Sequence, residues 1–367
     1  MKILLMGYYG VGNLGDEMML FCLREWLTGQ GASITVLCAK PEEVRRRYGL
    51  PAVEDVPLLG ERSWKHAWGR GVALRVLRAI AMHDALAIGG GDLIRDDRGW
   101  RQFLTVIEKA VVARLLGKEI YLLNIGLGTP CTWYGRMLLG WVLRRAKRII
   151  VRDQRSIEVC QALGAGATAV YAPDIVFRLP AMVEKRPPPI NEPYALVCLR
   201  GTANVFHRYE LTEARLRTLS AGLDALVERH GLRIVFLPFH VSSAGEDESL
   251  HRRIAHRMWN QAAFVMPDAD SNLSNIGSWF AGCRCVLAMR LHAAVLATAY
   301  GKPCLLMPYD QKVIEFGKQF PVVRMASAEL LDDRDGFASM LERAATSPVT
   351  ADPESGEFWN TARLFDS

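Results

Sequence analysis

Long uncharged runs are missing from this sequence: no stretch reaches the ~18 apolar residues that a membrane-spanning helix needs. The apolar start at Met1–Met6 is ended by Gly7 before it could serve as a signal-peptide core. A soluble, cytoplasmic protein is therefore expected. The eight cysteines include no CxxC pair, only the CxC of Cys283 and Cys285, and most sit inside apolar runs, as buried thiols of a reducing compartment do. HExxH and GxSxG are absent as well, so neither hydrolysis through zinc or a serine nucleophile nor a metal or cofactor is expected. With 31 Gly and 17 Pro in 367 residues, the chain is too poor in both for a collagen-like or disordered polymer. Lys and Arg exceed Asp and Glu by 45 to 39. That excess suits an anionic ligand or a membrane surface, but it is too diffuse for a nucleic-acid groove, and no nucleic-acid partner is expected.

What is present is alternation. Short β-branched or Leu-rich runs at Lys2–Tyr8, Ser33–Ala39, Ala85–Gly89, Glu119–Ile125, Arg148–Arg152 and Ala169–Ala172 are separated by helical patterns. A second series runs through Tyr194–Arg200, Arg233–Phe239, Ala262–Met266, Cys285–Met289, Pro303–Met307 and Val322–Met325, with helices such as Leu211–His230 and Glu246–Trp259 between them. The fold class is α/β with two doubly wound, Rossmann-like domains. Residues 1–178 form the first, 179–193 a hinge marked by Pro187, Pro188 and Pro189, 194–345 the second, and 346–367 a tail without a usable motif. Two such domains would face a common cleft with the C-terminal ends of their strands, where open α/β sheets bind ligands.

The first strand leads into Gly7-Tyr8-Tyr9-Gly10-Val11-Gly12-Asn13-Leu14-Gly15-Asp16-Glu17, a literal GxGxxG. A dinucleotide site is not expected from it. The second strand ends in Leu37-Cys38-Ala39-Lys40 without the ribose-binding acid, and Asp16 would put negative charge where pyrophosphate should sit. The glycines alone could serve a tight turn, with Asp16 a favourable anion in the first helical turn. The joint presence of Asn13, Gly15 and Asp16 at a cleft loop points instead to sugar binding, with Asp16 orienting or deprotonating a hydroxyl.

Other strand ends add candidates. Gly89-Gly90-Gly91-Asp92 is either a plain turn or a place where a ligand meets the backbone, with Asp92 accepting from hydroxyls. Asn124 opens a comparable loop, Asn124-Ile125-Gly126-Leu127-Gly128-Thr129-Pro130. Arg152 either binds an anion or pairs with Asp153 or another neighbour. In the second half, Arg200, His240, Arg290, His292 and Lys312 mark successive strand ends, and Arg290 and His292 stand at a helix N-terminus. Arg200, Arg290, His292 and Lys312 together suggest a phosphate or carboxylate pocket. Of these four, only His292 exchanges a proton near neutral pH, which makes it the preferred acid or base.

Two basic stretches bear tryptophan without any acidic residue: Arg62–Arg78, with Trp64 and Trp68, and Thr132–Arg148, with Trp133 and Trp141. Either the tryptophans are core residues of ordinary helices, the favoured reading, or these segments touch the inner face of the cytoplasmic membrane.

The glycine loop, the Gly-Gly-Gly strand end, Val151-Arg152-Asp153, Leu237-Pro238-Phe239, Met289-Arg290-Leu291-His292 and Tyr309-Asp310-x-Lys312-Val313, taken in order, resemble the polysaccharide pyruvyl transferase family. The resemblance is closest to the branch that ketalises the cell-wall polymer anchoring bacterial S-layers. It implies a GT-B-like fold and transfer of pyruvate from phosphoenolpyruvate to two hydroxyls of a sugar, commonly the 4- and 6-hydroxyls of N-acetylmannosamine on a lipid-linked saccharide acceptor. It further implies that Arg200, Arg290 and Lys312 hold the donor, that His292 is the acid and Asp16 the hydroxyl partner, and that Arg152 is a further catalytic or donor contact. Asn13, Gly15, Gly91, Asp92, Asn124 and His240 would line the substrate sites. The family's pattern is not kept at Gly89–Gly99 and Asn124–Pro130, which leaves the sugar open. The alternatives are a GT-B glycosyltransferase using a nucleotide sugar and a catalytically silent glycan-binding subunit.

Overall fold

The computed structural model describes residues 1–59, 71–97, 99–201, 210–240, 246–265, 273–320, 323–347 and 357–364. The chain divides into two compact units. One comprises Met1–Val11, Asp16–Ile175 and Gly356–Ser367, the other Gly12–Gly15 and Val176–Ser355.

The first unit is built on β1 (Lys2–Met6), β2 (Ser33–Cys38), β3 (Ala52–Glu54), β4 (Ala85–Ile94), β5 (Glu119–Leu127), β6 (Arg148–Val151) and β7 (Ala169–Tyr171). They form one parallel sheet in the order β3-β2-β1-β4-β5-β6-β7. Strands buried on both faces are apolar throughout, as Ile3, Leu4, Leu5 and Met6 of β1 are. Helices Val72–Met82 and Trp100–Leu115 contribute Val76, Ile80, Val106 and Ala110 to the core against Leu4, Ile88, Leu122 and Val151. The winding direction reverses between β1 and β4, which opens a crevice at the C-terminal ends of those strands.

Two strands continue past the turns expected from their glycines. β4 runs through Gly89, Gly90 and Gly91 to Ile94, with a register shift against β5 between Gly91 and Ile94. β5 passes Asn124, which has φ of 53°, with an irregularity against β6 between Leu123 and Ile125. Pairing between β4 and β5, Gly91 with Ile125 and Ile94 with Leu127, sustains both strands where the local sequence signals a stop. β3, only three residues long, was not expected at all.

The second unit repeats the design with β8 (Tyr194–Cys198), β9 (Arg233–Phe236), β10 (Ala262–Phe264), β11 (Cys285–Ala288), β12 (Cys304–Leu306) and β13 (Val323–Met325). Their order is β10-β9-β8-β11-β12-β13, again all parallel, with the reversal between β8 and β11. Helix Glu213–His230 starts where Thr212 accepts from the Arg215 N–H and stops at Gly231, whose φ of 61° suits glycine.

The Pro-rich segment 179–193 belongs to the second unit, with Pro187, Pro188 and Pro189 exposed on its surface. Leu179–Met182 forms a short helix with Leu179 buried, and Arg186 donates to Asn275 at 2.8 Å. The end of the tail is likewise ordered. Helix Glu357–Thr361 places Trp359 edge-on to Trp26 at 5.0 Å, and its indole N–H donates to the Pro173 carbonyl at 2.8 Å within the first unit. Among the described residues no helix is long and apolar enough to cross a membrane, and no group of three His, Cys, Asp or Glu is placed to hold a metal ion.

Candidate active site

At the C-terminal edge of the second sheet, four adjacent strands, β9, β8, β11 and β12, deliver His240, Arg200, Arg290 with His292, and Tyr309 with Lys312. Arg200 donates to the Tyr309 hydroxyl at 2.7 Å while its guanidinium carbon lies 4.7 Å from the ring centroid. Burial alone would raise the Tyr309 phenol, but Lys312, Arg200 and Arg290 together hold it below its ordinary value. Arg290 caps helix Leu291–Ala299 and turns Nε and Nη2 onto the carboxylate of Asp247, at 3.0 and 2.5 Å. The fork expected to grip a ligand is thus engaged by an internal partner.

Asp247, in the first turn of helix Glu246–Ala255, is fully buried and also accepts from the N–H groups of Gly201, Phe239 and His240. Burial works against its charge, yet Arg290 and the Gly201 N–H keep the carboxyl below its usual range. Burial and the Arg290 cation lower His240. His292 is half-buried in the first turn of its helix. A Cβ on Gly15 would lie 2.0 Å from its Nδ1, so only glycine leaves room for this imidazole. The segment carrying Gly15 is fixed by an antiparallel bridge between Asn13 and His240 and by the Leu14 N–H donating to the Phe239 carbonyl at 2.8 Å.

The first unit gathers a different group. Asp16 is buried in the first turn of helix Leu14–Thr28, with its Oδ1 3.4 Å from where a Cβ on Gly91 would stand. Gly91 has φ of 79°. Asp92 accepts from Arg152 Nη2 at 2.7 Å, and Arg152 Nη1 donates to Asp174 at 3.2 Å. Burial opposes the guanidinium charge, but Asp92, Asp174 and Asp153 reinforce it. Asp153 is not the direct partner, because it caps helix Gln154–Ala162 by accepting from the Ser156 N–H and hydroxyl. Asn124 is fully buried, donates to the Pro173 carbonyl and accepts from the Ile175 N–H. It presents no group to a ligand and instead holds the Pro173–Ile175 backbone that carries Asp174.

A model of the family described as polysaccharide pyruvyl transferase matches residues 13–311. The chain belongs to that family. It is 22% identical over 266 residues to the amylovoran biosynthesis protein AmsJ of Erwinia amylovora, over 68% of this chain and 62% of that protein. The chain thus spans less than two thirds of the length of this curated relative. Among solved structures it is similar to the UDP-GlcNAc 2-epimerase of Methanocaldococcus jannaschii, with a TM-score of 0.63, 11% identity and 97% of each chain covered. It is similar also to S. aureus MnaA, with a TM-score of 0.57, 12% identity, and 97% of this chain and 94% of that one covered. The spinosyn rhamnosyltransferase SpnG gives a TM-score of 0.54 at 13% identity, covering 98% and 96%. These likenesses place the family member in the GT-B-like fold of two parallel-sheet α/β domains.

Within this pyruvyl transferase family member, the second unit brings together Arg200, His240, Arg290, His292 and Lys312 with Asn13 and Gly15, and the first brings together Asp16, Gly91, Asp92 and Arg152. Asp247, Asp174 and the Tyr309 side chain were not anticipated as parts of either group. Tyr309 could have been found from its place between a strand end and Lys312, whereas Asp247, between Glu246 and Glu248 in one helical turn, carries no local signal. Trp64 and Trp68 lie outside the described residues. Trp133 is 77% exposed, against the expectation of a core residue, while Trp141 is half-buried.

Proposed function

We propose that the protein transfers pyruvate from phosphoenolpyruvate to two hydroxyls of a sugar in a lipid-linked saccharide acceptor, releasing phosphate. The observation that carries this reading is the convergence of Arg200, Arg290 and Lys312 around Tyr309 beside His292, on adjacent strand ends of a pyruvyl transferase family member. Phosphoenolpyruvate presents a phosphate and a carboxylate, and three cations at one sheet edge match that charge. The acceptor hydroxyl oxygen adds to the enol carbon C2 while His292 protonates C3. Asp16 orients that hydroxyl and takes its proton. The C2–O bond to phosphate then breaks, the cations stabilise the departing phosphate, and the second hydroxyl closes on C2 with loss of its proton to give the ketal. Arg152, enclosed by Asp92 and Asp174, is a positioning residue for Asp92. An N-acetylmannosamine-type acceptor and contact with the inner membrane face belong to the same reading.

Phosphate release from phosphoenolpyruvate, measured with a panel of diphosphate-lipid-linked amino-sugar disaccharides, tests it, with mass spectrometry of each acceptor and UDP-sugars as parallel donors. Acceptor-dependent release with a ketal on the sugar is expected, and His292→Ala should lower it by ~10²–10⁴-fold. Sugar transfer from a UDP donor without phosphate release from phosphoenolpyruvate would replace this reading with a glycosyltransferase. Inertness toward every donor, with retained glycan binding, would point to a binding subunit.

A further inference from the structure

Helix Trp133–Leu143 begins just beyond the C-terminal end of β5, the edge of the first sheet that carries Asp92 and Arg152. Its start is pinned there. Asp96, just past β4, accepts from the N–H groups of Cys131 and Thr132 and from the Thr132 hydroxyl, and Thr132 in turn accepts from the Gly135 N–H. The helix buries Leu139, Val142 and Leu143 and turns Trp133, Arg136, Met137 and Arg144 outward, a spacing that keeps all four on one face.

That face is unusual in combining large exposed apolar groups with charge of one sign. Trp133 is 77% and Met137 54% exposed. The next stripe of the helix adds Arg145, whose guanidinium lies 4.4 Å from the Trp141 ring centroid, an arrangement that carries a cation along an aromatic surface. No acidic residue occurs from Thr132 to Arg148, whereas Arg136, Arg144, Arg145, Lys147 and Arg148 do. Lys147 is paired with Glu119 at 2.5 Å, so the outward charge belongs to the three arginines before it. Arg136 and Arg144 also donate to the Ala162 and Leu163 carbonyls, which fixes their direction.

Indole and thioether groups among arginines, with no carboxylate between them, match the boundary between acyl chains and anionic headgroups. We propose that the outward face of helix Trp133–Leu143 docks the first unit on an anionic lipid bilayer, with Trp133 and Met137 entering the interface and Arg136, Arg144 and Arg145 meeting headgroup phosphates. The inference deepens the reading of a lipid-linked acceptor and rests on it for its purpose. Such an acceptor has its diphosphate at the bilayer surface, and this helix starts at the same sheet edge as the Asp92–Arg152 group.

The test is cosedimentation of the full chain with vesicles of phosphatidylcholine alone and of phosphatidylcholine mixed with phosphatidylglycerol. Binding only to the anionic vesicles is expected, and it should fall away at ~1 M salt, where the screening length is about 3 Å. Arg136→Gln and Arg145→Gln should each weaken it roughly fivefold, and Trp133→Ser should abolish it at low protein concentration. These side chains are exposed, and an unchanged thermal midpoint of each variant confirms that the fold is kept. Equal partition to both vesicles, or binding indifferent to Trp133→Ser and Arg136→Gln, overturns the proposal. Self-association that Trp133→Ser removes, without vesicle binding, overturns it in favour of a protein partner. Because the assay contains neither phosphoenolpyruvate nor acceptor, its failure leaves the transferase reading standing. Failure of pyruvyl transfer, conversely, would not alter the vesicle result.

Discussion

Asp247 and Arg290 meet through both carboxylate oxygens, Nε to Oδ2 at 3.0 Å and Nη2 to Oδ1 at 2.5 Å, although 43 residues separate them in sequence. The same carboxylate collects three backbone N–H groups from the ends of β8 and β9, so one buried charge fixes the direction of Arg290 and the spacing of the strands around it. Asp247→Asn would leave the guanidinium without its counter-charge and point an amide donor at donors. A loss of ~3–5 kcal/mol of stability is expected, as for breaking a buried ion pair. The Michaelis constant for phosphoenolpyruvate should rise in the fraction that folds. A variant with normal stability and normal donor affinity would show that Arg290 is held by its helix alone.

Among the described residues of the second unit, Tyr309 should be the most acidic phenol, since Tyr194 and Tyr300 are both raised by burial. Burial would push it up, and only the cations Lys312, Arg200 and Arg290 bring it below the ordinary value near 10. The expected sign is therefore an early tyrosinate transition in ultraviolet difference titration, absent in Tyr309→Phe. That variant also leaves Arg200 without its hydroxyl acceptor, and hydrogen bonds to charged groups are worth ~1.5–3 kcal/mol, so kcat/KM should fall roughly 10- to 100-fold. An unchanged titration curve would mean that another group supplies the counter-charge.

Much of this arrangement was legible because parallel sheets advertise themselves locally. Four strands of the second unit, β8, β9, β11 and β12, end next to a residue of the site, and Arg200, Arg290 and Lys312 could be grouped by counting strand ends. Asp247 could not be weighed in that way. It sits in Glu246-Asp247-Glu248, which reads as the solvated first turn of a helix, and nothing local distinguishes its burial from the setting of its neighbours. Arg152 and Asp174 raise the same difficulty, since their contact depends on how β6 and the chain after β7 come together. Asn124 misled for a further reason. A polar residue at a strand end suggests a ligand contact, but here a residue with positive φ inside β5 turns its amide toward a neighbouring loop.

Gly15→Ala sets two rules against each other. In a helix, alanine is favoured over glycine by ~1 kcal/mol, so propensity alone would leave the fold as stable or more so. The added methyl, however, would stand 2.0 Å from His292 Nδ1, a distance no pair of unbonded atoms tolerates, and the imidazole must turn away. The expected outcome is a thermal midpoint close to wild type with phosphate release reduced at least ~10²-fold, the loss typical of misplacing a proton donor. Full activity would show that His292 can leave this position without cost to catalysis.

His251 gives the protein an acid-sensitive point that needs no substrate to observe. Burial lowers its pKa to about 4, against the nearby Asp247 carboxylate and the Leu199 carbonyl 3.1 Å from Nε2, which raise it. Above its unfolded value of about 6.5 the imidazole is neutral in both states and stability does not depend on it. As pH falls from there toward 4, the unfolded chain takes up a proton that the folded chain refuses, so the fold loses on the order of 3 kcal/mol across that window. Below the folded value both states are protonated and the loss levels off. His251→Leu should remove this slope, at the expense of the hydrogen bonding between Nε2 and the Leu199 backbone at 3.1 Å. Denaturant midpoints measured from pH 7 to pH 4 should therefore decline for the wild type and stay flatter for the variant. Parallel curves would place the acid sensitivity in another group.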